Sequence, residues 1–211
     1  MKTESGRLKS NKTRRLLLYA GGALLAVLLF LLLYLRGAFL PRWIVWNDRT
    51  LTADLDGDGL DDTLRLRGRR LTVRFAEDDP AAKPRIFRTP ARYLISDVLT
   101  GDFTDDGKTD VLLLAWRIGN YGTSHPIWVS GRDITFTEHL FFYQYRKDTL
   151  WPLWMSSDVG THIRAVFFDG EYLHLETAEG GEVLTRWAGW NAPPGVRPDW
   201  GLEIITDAPG Q

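Results

Sequence analysis

The chain has 211 residues, of which 44% are hydrophobic, 12% aromatic and 25% charged, a composition too apolar and aromatic for a disordered protein. It contains no cysteine, which excludes a disulfide scaffold, a cysteine nucleophile, a zinc ribbon, an iron–sulfur site and a lipid-modified thiol. The net charge of −1 conceals an uneven spread: residues 1–36 carry seven Lys or Arg against Glu4 alone, so the remainder is acidic, and no nucleic-acid partner is expected for it.

Leu16 to Leu35 is a 20-residue run without a charge, long enough at about 1.5 Å per residue to cross a hydrocarbon core about 30 Å thick. A secretory signal has a shorter apolar region ending in small residues, and Arg36, Gly37, Ala38 and Phe39 offer no such cleavage site. Arg14-Arg15 before the run resembles a twin-arginine signal only loosely, because the run is too apolar for one. The expectation is an uncleaved single-pass anchor in the cell membrane, with residues 1–15 a basic tail, 16–35 the transmembrane helix and 36–50 a juxtamembrane linker and first strand. Six basic residues precede the span and only Arg36 and Arg42 closely follow it. The positive-inside bias then places the amino terminus in the cytoplasm and the body outside the membrane.

From Trp43 onward no helical stretch is expected. Short apolar runs rich in Val, Ile, Phe, Thr, Tyr and Trp predict strands at Thr63–Arg67, Arg70–Phe75, Val111–Trp116, Ile127–Ser130, Ile134–Thr137 and Leu140–Tyr145. Further strands are predicted at Ile163–Phe168, Tyr172–Thr177, Glu182–Trp187 and Leu202–Thr206. Asp169-Gly170 between two of them is a hairpin signal. The body, 51–207 with a short tail at 208–211, therefore reads as one all-β domain built as a meander, hence a sandwich, barrel or propeller.

Within it, residues 51–64 align without gaps to residues 99–112, with seven of the 14 positions identical. The offset of 48 residues is typical of a propeller blade. Each copy holds an acidic loop of the form D-x-[DT]-x-D-G-x-x-D, at 54–62 and 102–110. The side chains are Asp54, Asp56, Asp58 and Asp62 in the first, and Asp102, Thr104, Asp106 and Asp110 in the second. Alternate positions in a tight loop aim successive oxygens at one centre, and Gly59 or Gly107 permits the turn. All-oxygen ligation suits a hard cation, Ca²⁺ rather than Zn²⁺, with the backbone carbonyls of Leu60 and Lys108 as further ligands. An EF-hand is excluded, since its bidentate Glu would fall on Arg65 or Leu113 and the flanks read as strands.

The two loops, each preceded by Leu-Thr-[Ala/Gly]-Asp and followed by an apolar strand, resemble the FG-GAP/VCBS repeats of integrin-α-like β-propellers. The resemblance implies a Ca²⁺ cofactor held by the eight side chains just named. It implies a propeller-like meander, small or partial because 175 residues supply at most three or four blades of 48. Bacterial members of that family are often surface-attached, in keeping with the anchor. The expected function is a membrane-anchored, extracytoplasmic Ca²⁺-binding β-repeat domain acting in binding, adhesion or surface assembly, with a protein or a cell-wall glycan as ligand.

Two further expectations concern the rest of the body. Trp151 with Trp154, and Trp187 with Trp190, pair at i, i+3, and they could stack on sugar rings, which makes a cell-wall glycan-binding module the alternative function. The polar, Gly-containing segment 117–126 is a binding-loop candidate through Asn120, Tyr121 and His125. His125, His139, His162 and His174 show no metal-ligand spacing, and Ser156 and Ser157 lack a nucleophile elbow, so no catalytic residue is assigned and an envelope hydrolase is the third reading.

Overall fold

A computed structural model describes residues 4–79, 81–120, 133–188 and 201–205. The chain divides into two compact units, Met1–Leu40 and Pro41–Gln211. The first is one helix, α1 (Glu4–Leu35), which extends the expected span through the basic tail. Its segment Arg14–Leu35 is long and apolar enough to cross a membrane. Apolar side chains stand exposed on all its faces, from Leu17 at 69% to Leu25 at 68%, as in a helix with no stripe for a protein core. A Schellman turn ends it: Ala38 N–H donates to Leu33 O at 3.0 Å and Gly37 N–H to Tyr34 O at 2.8 Å, with Gly37 in the left-handed region at φ 66°.

The second unit holds three antiparallel four-stranded sheets, each a meander in chain order. The first comprises β1 (Arg49–Ala53), β2 (Asp62–Arg67), β3 (Arg70–Arg74) and β4 (Ile86–Arg88). The second comprises β5 (Leu94–Gly101), β6 (Asp110–Ile118), β7 (Phe136–Arg146) and β8 (Thr149–Met155). The third comprises β9 (Ile163–Phe168), β10 (Leu173–Thr177), β11 (Glu182–Trp187) and β12 (Leu202–Ile204). The sheets do not close into a ring. The expected strands at 134–137 and 140–145 are a single strand, β7, while β4, β5 and β8 were not expected. The predicted strand Ile127–Ser130 lies outside the described residues.

Burial explains the different rhythms of the strands. On β2, Leu64 and Leu66 are buried while Thr63, Arg65 and Arg67 are exposed, because one face of the first sheet meets solvent. On β6, every residue from Asp110 to Trp116 is buried. Val111, Leu113 and Ala115 pack with Leu64, Leu71 and Val73 of the first sheet. Leu112 and Leu114 pack with Ile163, Leu173 and Leu175 of the third. The continuous apolar run VLLLAW is thus the mark of a middle layer with both faces covered.

Two-residue turns with positive φ at both positions join β2 to β3 (Gly68 56°, Arg69 67°) and β7 to β8 (Lys147 51°, Asp148 64°). Asp97 on β5 binds Asn47 Nδ2 at 2.9 Å and Arg49 Nε at 3.2 Å, tying the start of the first sheet to the second.

Candidate metal centre

The two acidic loops occupy the same topological place, the connection from the first to the second strand of a sheet. Their backbones match at an offset of 48: Gly57 (φ 80°) and Gly59 (87°) correspond to Asp105 (54°) and Gly107 (77°). Leu55 and Phe103 are the buried apolar plugs beneath them, at 4% and 6% exposure. In the third sheet the equivalent connection is the tight hairpin after Phe168. There Asp169 Oδ1 accepts N–H bonds from Glu171 at 2.8 Å and Tyr172 at 2.7 Å. The Asp-Gly hairpin predicted there is present, and the third sheet repeats the strand order without the acidic loop.

In the first loop, Asp54, Asp56 and Asp58 each bring a carboxylate oxygen within 4.8 Å of the others. Asp54 is oriented by Gly57 N–H at 2.7 Å and Gly59 N–H at 3.0 Å. Asp58 Oδ1 accepts Leu60 N–H at 2.8 Å, and Asp56 Oδ1 accepts Asp58 N–H at 3.3 Å. These bonds leave a second lone pair on each oxygen and aim the carboxylates inward. Asp62 does not belong to the cluster. It is fully buried, and its two oxygens accept Leu55 N–H at 3.0 Å and Ala76 N–H at 2.8 Å, so it clamps the base of the loop to the end of β3. Burial pushes its carboxyl above the ordinary range, against those two hydrogen bonds.

One partner of the cluster is invisible in the local sequence. Arg85, 29 residues on, binds Asp56 Oδ2 at 2.9 Å and Glu77 at 2.7 Å, and also donates to the Tyr145 hydroxyl of the second sheet. It offsets part of the converging negative charge and leaves Asp54 and Asp58 facing the loop centre. The donor set is all oxygen and at least dianionic after Arg85 is counted, which fits a hard divalent cation.

The second loop is arranged differently. Asp102 accepts Asp106 N–H at 3.0 Å and Gly107 N–H at 2.8 Å, as Asp54 does in the first loop. Gln144 Nε2 from β7 donates to Asp106 Oδ2 at 2.9 Å and to Asp110 Oδ1 at 3.0 Å. Thr104 turns its hydroxyl to Asp110 at 2.8 Å. Asp110 is fully buried, and burial pushes its carboxyl up to about 6 while Thr104 and Gln144 pull the other way. Among the described residues, only the first loop gathers three carboxylates. The Leu60 and Lys108 backbones are held through their N–H groups, by Asp58 and Asp106.

A cleft of about 400 Å³ adjoins the second loop, lined by Asp102, Phe103 and Asp105 on one side and Phe168, Arg186 and Trp187 on the other. Its position follows from packing of the second sheet on the third. Of the tryptophans expected to stack on sugars, Trp154 and Trp187 meet edge-on at 6.0 Å beside Phe142, between those two sheets. Trp151 is 46% exposed and pairs with Lys147, 5.2 Å above its ring. The i, i+3 pair on β8 stays on one face because a bulge at Leu153 interrupts the alternation, so that Trp151 stands opposite Gln144 and Trp154 opposite Phe142, alternate residues of β7. Asn120 is half-buried, and its carbonyl accepts Asp158 N–H at 2.9 Å. Tyr121, His125 and Trp190 lie outside the described residues. No family model, curated protein or solved structure matches the chain, so the reading of the site rests on the loops themselves.

Proposed function

We propose that this protein is a single-pass, membrane-anchored β-repeat protein. Its extracytoplasmic body is stabilised by Ca²⁺ and serves as a binding or surface-assembly module. The observation that carries the reading is the convergence of Asp54, Asp56 and Asp58 within 4.8 Å, on a loop whose position recurs in the second sheet. On this reading the three meanders are FG-GAP/VCBS-like blades of an open, partial propeller. Sites of about 10⁻⁴–10⁻³ M suffice outside a cell, where extracellular Ca²⁺ modules commonly operate. The metal then supplies cross-linking that a chain without cysteine cannot obtain from disulfides.

The test is thermal unfolding of the full chain in detergent micelles, with millimolar Ca²⁺ and with chelator. At a hundred times Kd one site adds about 2.7 kcal/mol. For a body of this size that raises the midpoint by about 5–10 °C. Asp58→Asn abolishes the increment from the first loop. An identical midpoint with Ca²⁺ and with chelator refutes the Ca²⁺ reading.

A further inference from the structure

The outward face of the first sheet differs in charge from the rest of the body. Strand alternation and register place ten side chains on it. Five are arginines: Arg65 and Arg67 on β2, Arg70 and Arg74 on β3, and Arg88 on β4, all exposed. The other five are four threonines and Ile86; no acid is among them. Arg65 and Arg88 flank Thr72, and Arg74 stands between Thr63 and Ile86. None of the five arginines forms an ion pair with a described carboxylate. Asp48, immediately before β1, accepts the N–H of Gly68 in the β2–β3 turn at 3.0 Å. The outward face of the third sheet is the opposite case: there Arg186 is bound to Glu203 at 2.5 Å, and His174 lies between Asp169 and Glu182.

Cross-strand like charges such as Arg67 opposite Arg70 cost stability, so five unpaired arginines on one flat face are a local liability unless an anion meets them. Guanidinium forks flanked by threonine hydroxyls are suited to phosphate oxygens. This face also belongs to the sheet nearest the anchor in the chain. Between Leu35 and Arg49 lie residues 36–48, whose covalent reach is at most about 45 Å.

We propose that the arginine face of the first sheet binds the phosphate headgroups of anionic lipid in the membrane that holds the anchor. This rests on the anchored reading above and adds to it a surface through which the body lies against the bilayer.

The absence of cysteine allows single-site labelling of the full chain. Thr50→Cys reports the arginine face, because Thr50 stands opposite Arg65; Glu176→Cys reports the outward face of the third sheet. Each labelled protein is carried in nanodiscs of phosphatidylcholine alone or of equimolar phosphatidylcholine and phosphatidylglycerol, containing a headgroup quencher. The expected result is quenching of the Thr50 label only in the phosphatidylglycerol discs, reversed by salt and absent for the Glu176 label. Arg65→Gln/Arg74→Gln/Arg88→Gln weakens this docking about a hundredfold, and the three-lysine variant keeps most of it. Equal quenching in both disc types, or quenching unchanged by the glutamine variant, overturns the proposal. So does quenching that appears only when two copies share a disc, which assigns the face to the acidic surface of a second copy. If the glutamine variant does not fold, the salt and lipid comparisons on the unsubstituted arginines decide. A chain that fails to enter discs at all refutes the anchor and the docking together, whereas entry without face-specific quenching refutes the docking alone.

Discussion

Leu112 and Leu113 are neighbours on β6, both fully buried, and they point into different interfaces: Leu113 toward the first sheet, Leu112 toward the third. Truncating either to alanine removes three heavy atoms from a covered face and leaves a void. Buried Leu→Ala changes cost about 2.7–5.0 kcal/mol, and rigid neighbours on both sides of β6 favour the middle of that range, ~3–4 kcal/mol. At about 2–4 °C per kcal/mol for a body of this size, each variant melts about 6–16 °C lower. On β2 the outcome alternates instead. Leu66→Ala carries a penalty of the same order, while Arg67→Ala, on the exposed face, changes stability by no more than about 0.5 kcal/mol. The assay is thermal unfolding of the full chain in micelles followed by tryptophan fluorescence. All nine tryptophans lie after residue 42, so the signal reports the body and not α1. If either β6 variant is as mild as Arg67→Ala, one face of the second sheet is uncovered and the layered packing is refuted.

Three other outcomes follow from particular side chains. Burial pushes Glu138 from its ordinary 4.5 to about 8, so the folded state holds a proton that the unfolded chain gives up. Its stability contribution is complete below about pH 4.5 and is lost as pH rises through about 8. Melting temperature should fall across that window, and Glu138→Gln should flatten the fall. Asp62→Asn places an amide donor against one of two buried N–H groups and costs about 1–3 kcal/mol with or without Ca²⁺. The exposed Asp58→Asn costs little in chelator, so calorimetry of the two variants separates a clamp from a ligand. His174 is pulled down by burial, but Asp169 at 2.9 Å and Glu182 at 2.7 Å raise its pKa overall. Its contribution is therefore full below about 6.5 and is lost as pH rises through the raised value. An imidazole resonance titrating at or below the ordinary 6.5 would contradict this geometry.

Much of the architecture was legible because it is written in local patterns. A charge-free run of 20 residues permits a helix that needs no partner side chains, and α1 follows it. The alternation in β2 and the Asp-Gly hairpin before β10 follow from the two-residue period of strands and from turn chemistry. β8 was hidden because Pro152 argues against a strand, and it is tolerated at the edge of the second sheet, where its missing N–H breaks no ladder. β5 was hidden because Ser96 and Asp97 look like loop residues. Inside the fold, Ser96 donates to Leu114 O at 3.1 Å and Asp97 takes Asn47 and Arg49. The turn at Lys147-Asp148 has none of the usual glycine or asparagine signal, so the β7–β8 hairpin was not visible either.

The two acidic loops show where local information ends. The spacing of Asp54, Asp56 and Asp58, with glycines where φ is positive, by itself determined that three carboxylates could converge, since a tight loop places alternate side chains on one side. Which acids remain available was decided by residues far away in the chain. Arg85 reaches back to Asp56, the end of β3 claims Asp62, and Gln144 of β7 draws Asp106 and Asp110 together. The same division holds for the tryptophans, whose spacing is a property of the chain but whose burial depends on the third sheet covering the second. Periodicity and turn chemistry act within a few residues, so sequence alone can carry them; a hydrogen bond or an apolar contact between sheets exists only after the chain has folded back on itself.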